Sequence, residues 1–198
     1  MDALLTAAQE LFAERSVDEV GVELIAERAG VAVGSIYNHF GSKAGLHAAT
    51  VHRALDRDRE HMDRAYGAGG RGPVEQLHAA AEEYLAFYLR SPEYFRMLAF
   101  PHPPGRYPAG REVADQLADS VRRQNARMVE ALEQGIADGV VREIDTARTA
   151  TVLWAAWNGI ISLGWRPDGL AVDETELRAL LSTATDALTR GLLAQNRG

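Results

Sequence analysis

The side chains best suited to chemistry lie together at Val33, Gly34, Ser35, Tyr37, Asn38 and His39. They put hydroxyl, phenol, amide and imidazole groups beside two small residues. Their chemistry is recognition: such a mixture of donors and acceptors suits contact with phosphates and base edges. The group needs a helix that is rooted in a core on one side and free on the other.

The surrounding stretch, Leu24 to Leu46 (LIAERAGVAVGSIYNHFGSKAGL), predicts such a helix. Val22, Ile25, Ala26 and Ala29 recur at helical spacing and form one apolar face. Gly30 follows where a helix C-terminus takes a left-handed residue. Val31 is expected to plug the turn into the core. The next helix runs from about Ala32 to Phe40, with Ile36 and Phe40 inward. Gly41 stops it, Ser42 can cap the following helix, and Lys43 lies in that helix's first turn. Two short helices around a glycine turn, followed by a capped third helix, form a helix-turn-helix pattern.

The pattern IA..AGV..G.IY.HF..K..L resembles the TetR family of bacterial transcriptional repressors. Here it is Ile25, Ala26, Ala29, Gly30, Val31, Gly34, Ile36, Tyr37, His39, Phe40, Lys43 and Leu46, and the preceding run LLTAAQELFAE resembles the family's first helix. The resemblance covers roughly the first 50 residues. It implies an all-α fold: a three-helix DNA-binding domain over 1–46 and a helical effector-binding and dimerisation domain over 47–198. It further implies a homodimeric regulator of transcription, released from a palindromic double-stranded operator by a small apolar or aromatic effector, with no cofactor. By the same resemblance Ser35, Tyr37 and His39 contact phosphates or neighbouring bases. Val33, Gly34 and Asn38 approach base edges, and Lys43 meets a phosphate at a helix N-terminus.

Three features depart from the family pattern. Gly21 and Ala32 stand where a hydroxyl residue often caps a helix. Val33 occupies an often basic position. Residues 1–50 carry seven acidic against three basic side chains, a balance of −4. Operator binding should therefore rest on few charged phosphate contacts.

Composition narrows the remaining possibilities. The chain has 198 residues, a net charge of −7 and no cysteine. Disulfides, thiolate metal sites and a cysteine nucleophile are excluded. Lys43 is the sole lysine among 21 basic residues. The six histidines (39, 47, 52, 61, 78, 102) form no metal-binding or catalytic pair. Glu10, Glu14, Glu82 and Glu83 read as solvated helix faces, so neither a catalytic nor a metal site is expected. No signal peptide or membrane span is recognisable, which points to a cytoplasmic protein.

Helices are predicted along almost the whole chain, with no strand. After a first helix on Leu4, Leu5, Ala8, Leu11 and Phe12, a long one spans Lys43 to about Tyr66. The glycine-rich segment Gly67–Pro73 reads as a linker, Val74–Leu89 as a helix and Ser91-Pro92 as the start of a short one. Pro101–Pro108 is expected to be a loop. A long helix then covers about Ala109–Asp138 and ends at Gly139. Asp145 and Asp173 start the last two, which run to about Gly164 and Gln195.

Tyr84, Phe87, Tyr88, Met97, Phe100, Met128, Trp154, Trp157 and Asn158 are the candidates for an effector site, because pockets combine aromatic walls with few polar groups. Each of them would serve equally as ordinary core. Leu153, Ile160 and Ile161 with Leu177, Leu181, Ala184 and Leu188 form stripes on the last two helices that fit a four-helix dimer interface, or the closure of one subunit's core. Two other readings are an interaction module that no longer binds DNA, favoured by the acidic N-terminal region, and a helical enzyme acting on an apolar small molecule.

Overall fold

Alternating apolar stripes and strong helix stops lead to an all-helical chain. The computed structural model describes residues 1–67, 69–100 and 110–194. Among these, nine α-helices follow in order: α1 (Asp2–Glu14), α2 (Val22–Ala29), α3 (Gly34–Phe40), α4 (Lys43–Gly67), α5 (Pro73–Arg90), α6 (Pro92–Ala99), α7 (Gly110–Ala137), α8 (Thr146–Ile161) and α9 (Glu174–Leu192). A 3-10 turn at Ser162–Trp165 completes the stretch that the sequence assigns to the end of α8. The expected loop Pro101–Pro108, the helix start at Ala109 and the helix end at Gln195 lie outside the described residues.

The helix boundaries follow from local chemistry. Gly30 takes φ +67° and Gly41 φ +73°, conformations that an L side chain resists, so each ends its helix. The Asp145 carboxylate accepts from the Arg148 amide at 2.9 Å, and Asp173 accepts from the Glu176 amide at 2.9 Å. These bonds satisfy amide donors that a helix start leaves open. Ser91 makes no side-chain cap, and α6 begins on Pro92 instead.

The chain divides into two compact units, Met1–Asp58 with Arg90–Ser120, and Arg59–Leu89 with Val121–Gly198. In the first, Leu4, Leu11, Phe12, Ile25, Ile36, Leu46 and Val51 form the core, joined by Met97, Val113 and Leu117. This unit is larger than the 1–46 domain expected from sequence. The α4 stripe continues past Leu46 to Val51 and Leu55 on the same core, and α6 packs on α1. In the second unit, Leu77, Leu85, Phe87, Leu132, Leu153, Trp157, Ile161, Leu177 and Leu181 are buried, and α8 packs on α9.

Candidate nucleic-acid interface

Helix α3 is anchored from one side. Ile36 is fully buried, and Phe40 and Val33 pack partly buried against the same core. The first turn is tight: the Ser35 amide donates to the Ala32 carbonyl at 2.9 Å and the Ile36 amide to Val33 at 3.0 Å. No side chain caps α2 or α3, as Gly21 and Ala32 led one to expect. On the free side Gly34, Tyr37, Asn38 and His39 are exposed, Tyr37 at 51%, and Ser35 is half-buried. Two details differ from expectation. Val31 is 38% exposed and does not plug the turn, because Gly30 already redirects the chain. Val33 leans onto the core instead of facing wholly outward.

Behind α3, the start of α4 braces the motif. The Lys43 ammonium donates to the Val17 carbonyl at 2.8 Å and the Val20 carbonyl at 3.0 Å. It thereby ties the α1–α2 connection to α4. One ammonium hydrogen remains beyond these two bonds. Ser42 Oγ accepts from the Gly45 amide at 3.0 Å, the cap expected from sequence. Gly45 lies so close to α3 that a Cβ there would stand 2.1 Å from the Phe40 carbonyl oxygen. Arg28 is paired with Glu10 at 3.0 Å. Of the three cations in residues 1–50, only Arg15 is exposed without a described partner.

In the second unit Tyr84, Phe87, Tyr88, Met128, Trp157 and Asn158 are all buried. The Tyr84 hydroxyl donates to Asn158 Oδ1 at 2.8 Å, so the amide has an internal partner. Trp157 Nε1 donates to Thr185 Oγ1 at 3.0 Å, and the Tyr84 and Trp157 rings lie 6.3 Å apart. Trp154 is half-buried, with its indole N–H unpartnered. The other two effector candidates belong to the first unit, where Met97 fills the core and Phe100 is 45% exposed.

The comparisons with known proteins match the chain in two stretches. Residues 4–50 match the bacterial regulatory proteins of the tetR family, and residues 77–188 match the tetracyclin repressor-like C-terminal domain. The chain belongs to the TetR family. Its relatives include the HTH-type transcriptional activator FasR of Mycolicibacterium smegmatis, 32% identical over 48% of this chain and 43% of that protein. The HTH-type transcriptional repressor KstR2 of Rhodococcus jostii is 28% identical over 93% of this chain and 89% of that one. The match to FasR thus spans less than half of that relative's length. A crystal structure of a TetR-like transcriptional regulator from Rhodococcus sp. RHA1 superposes with TM-score 0.75 at 25% identity, covering 96% of this chain and 93% of that one. The family consists of regulators of transcription, not enzymes.

Within this TetR-family chain, α8 and α9 sort the expected interface residues into two groups. Leu153, Ile161, Leu177 and Leu181 are buried inside the subunit, whereas Ile160, Ala184 and Leu188 keep partial exposure. The outer face of α8 runs through Val152, Ala155, Gly159 and Ile160, and that of α9 through Leu180, Ala184, Ala187 and Leu188.

Two buried polar features escape the sequence reading. His61 Nδ1 lies 2.8 Å from a Glu83 carboxylate oxygen, to which Arg64 Nε also donates at 3.0 Å. Asp58 is 1% exposed, and neither of its carboxylate oxygens has a hydrogen-bond partner. The signal for both was the α4 stripe: Val51, Ala54, Leu55, Asp58, His61, Met62 and Ala65 recur at helical spacing, with two ionisable residues among the apolar ones.

Proposed function

We propose that this TetR-family protein is a homodimeric repressor that holds a palindromic double-stranded operator through α3 and is released by a small apolar or aromatic effector. The observation carrying this reading is the exposed face Gly34, Tyr37, Asn38 and His39 on a helix rooted by buried Ile36. Tyr37, Ser35 and His39 supply donors for phosphates or neighbouring bases, and Gly34, Asn38 and Val33 border the base edges. Lys43 sets the position of α4 and has one hydrogen left for a phosphate. Residues 1–46 serve as the reading head and 47–198 as the effector and dimer domain, in a cytoplasmic protein.

The exposed small-residue faces of α8 and α9 support an isologous pairing, the commonest way to build a dimer. Two copies of α3 about one DNA turn apart would then meet two operator half-sites. The effector acts by population shift: it binds more tightly to a conformation in which α4 is tilted and the two α3 helices no longer match the half-site spacing. Tyr84, Phe87, Tyr88, Trp154 and Trp157 provide the aromatic wall for it, and Met128 and Asn158 complete its lining. The two relatives compared above are an activator and a repressor, so the direction of control is part of the proposal.

A DNase footprint on the DNA upstream of the protein's own gene tests the reading. It predicts a two-fold symmetric protected segment that disappears with Tyr37→Ala. An unprotected fragment at low salt would favour the interaction module, for which the −4 balance of residues 1–50 is the specific observation.

A further inference from the structure

Most buried polar side chains among the described residues have a partner. Thr50 Oγ1 donates to the Leu46 carbonyl at 2.8 Å, and His61 lies against Glu83 at 2.8 Å. Asn158 accepts from Tyr84, and Thr185 accepts from Trp157. Asp58 has no partner, nor have the buried Tyr94 hydroxyl and the Trp154 indole N–H, but Asp58 is the one carboxylate among the buried described residues. It is 1% exposed, occupies a core position of the α4 stripe, and receives no donor at either oxygen. Its helix neighbours Asp56, Arg57, Arg59 and Glu60 are all exposed.

An ionised carboxylate is an acceptor only, with room for several donors. Burying it unpaired carries a large desolvation cost that well-packed proteins avoid. Removing the charge would be the simplest route to a more stable fold, so its retention is explained by a partner that arrives from outside. That partner must bring donors. The net charge of −7 further favours a cation over an anion. The neighbouring stripe positions Ala54 and Leu55 are apolar, which suits an apolar body behind the charged group.

We propose that Asp58 is the anchor for a cationic effector, a protonated amine carried on an apolar body. The inference rests on the reading of an effector-controlled regulator above and names the chemical class of that effector. On binding, the ammonium donates to the carboxylate oxygens that now lack donors, and the apolar portion leaves water. Asp58 also gives the effector a lever on α4, the helix whose first turn holds the α1–α2 connection through Lys43 and meets α3 at Gly45.

The test uses the full chain and three probes of equal length: decylamine, decan-1-ol and decanoic acid. Binding is followed by calorimetry and by the quenching of tryptophan fluorescence. Wild type should bind decylamine at least tenfold more tightly than the alcohol or the acid. Asp58→Asn, isosteric and neutral, should lose at least tenfold toward decylamine and leave decan-1-ol within about twofold. Asp58→Leu should behave alike, which guards against a defect particular to the amide; both variants are checked for native helicity. Equal decylamine affinity in wild type and Asp58→Asn would overturn the anchor. So would a wild-type preference for decanoic acid. Decylamine and decan-1-ol binding equally well, both indifferent to Asp58→Asn, would overturn the anchor and leave the effector reading standing. Absence of binding by all three probes would overturn the anchor and the effector reading together.

Discussion

Asp58 and His47 are perturbed by burial in opposite directions. Burial raises the Asp58 carboxyl from 3.8 to about 7, and it lowers the His47 imidazole, whose ring packs edge-on to Phe12 at 5.0 Å, from 6.5 to about 4. For Asp58 the folded chain holds the extra proton between about pH 4 and 7, so its contribution is fully present below that window and lost as pH rises through it. For His47 the unfolded chain holds the extra proton between about pH 4 and 6.5, so stability is lost as pH falls. The two slopes oppose each other across nearly the same window. Asp58→Asn removes one of them. Urea midpoints of this variant, measured from pH 4.5 to 7.5, should therefore rise with pH more steeply than those of wild type. At pH 7.5 the variant should be more stable by roughly 1–3 kcal/mol, the gain from removing a buried charge less the cost of a still unpartnered amide. An unchanged pH profile would mean that Asp58 is better solvated than its burial indicates.

At the scale of elements, the contact between α3 and α4 is set by one missing methyl group. Gly45→Ala would place a Cβ 2.1 Å from the Phe40 carbonyl oxygen, so the backbone must shift. We expect a loss of about 1–3 kcal/mol in thermal or urea unfolding, with operator affinity falling further than stability because α3 is the element displaced. Gly159 on α8 is the opposite case: a Cβ there meets nothing within 4 Å. Gly159→Arg should leave the subunit folded, since arginine favours helix over glycine, yet turn the proposed dimer into a monomer by light scattering. A dimeric Gly159→Arg would move the interface elsewhere. The elements were legible in sequence because they rest on local rules. Gly30, Gly41, Asp145 and Asp173 mark their helix ends through backbone conformation and caps, and Ile36 is anchored as its spacing requires. Inter-element distances were not legible. Nothing in the order of residues shows that Gly45 touches Phe40, that Lys43 bonds to Val17 and Val20, or which of Leu153 and Gly159 faces inward. Those depend on how helices pack, and Asp58 escaped the sequence reading although its place in an apolar stripe was a signal for it.

For the whole molecule, charge sets the character of DNA binding. The chain carries −7 overall and −4 in residues 1–50, where Arg28 is paired with Glu10 and Lys43 is held by two carbonyls. Few counterions can then be released, because each neutralised phosphate contributes only about 0.9 to the salt slope. In the proposed reading, neutral donors such as Tyr37, Ser35 and Asn38 carry more of the recognition than in a basic DNA-binding domain. The decisive measurement is the affinity for the DNA upstream of the protein's own gene, followed by fluorescence anisotropy across a salt titration, for wild type and Tyr37→Ala. The account predicts specific binding with a log–log slope no steeper than about −5 for the dimer, and a loss of at least tenfold in Tyr37→Ala. Equal affinity of the variant, or no wild-type binding at the lowest salt, would contradict the assignment of α3 as the reading helix.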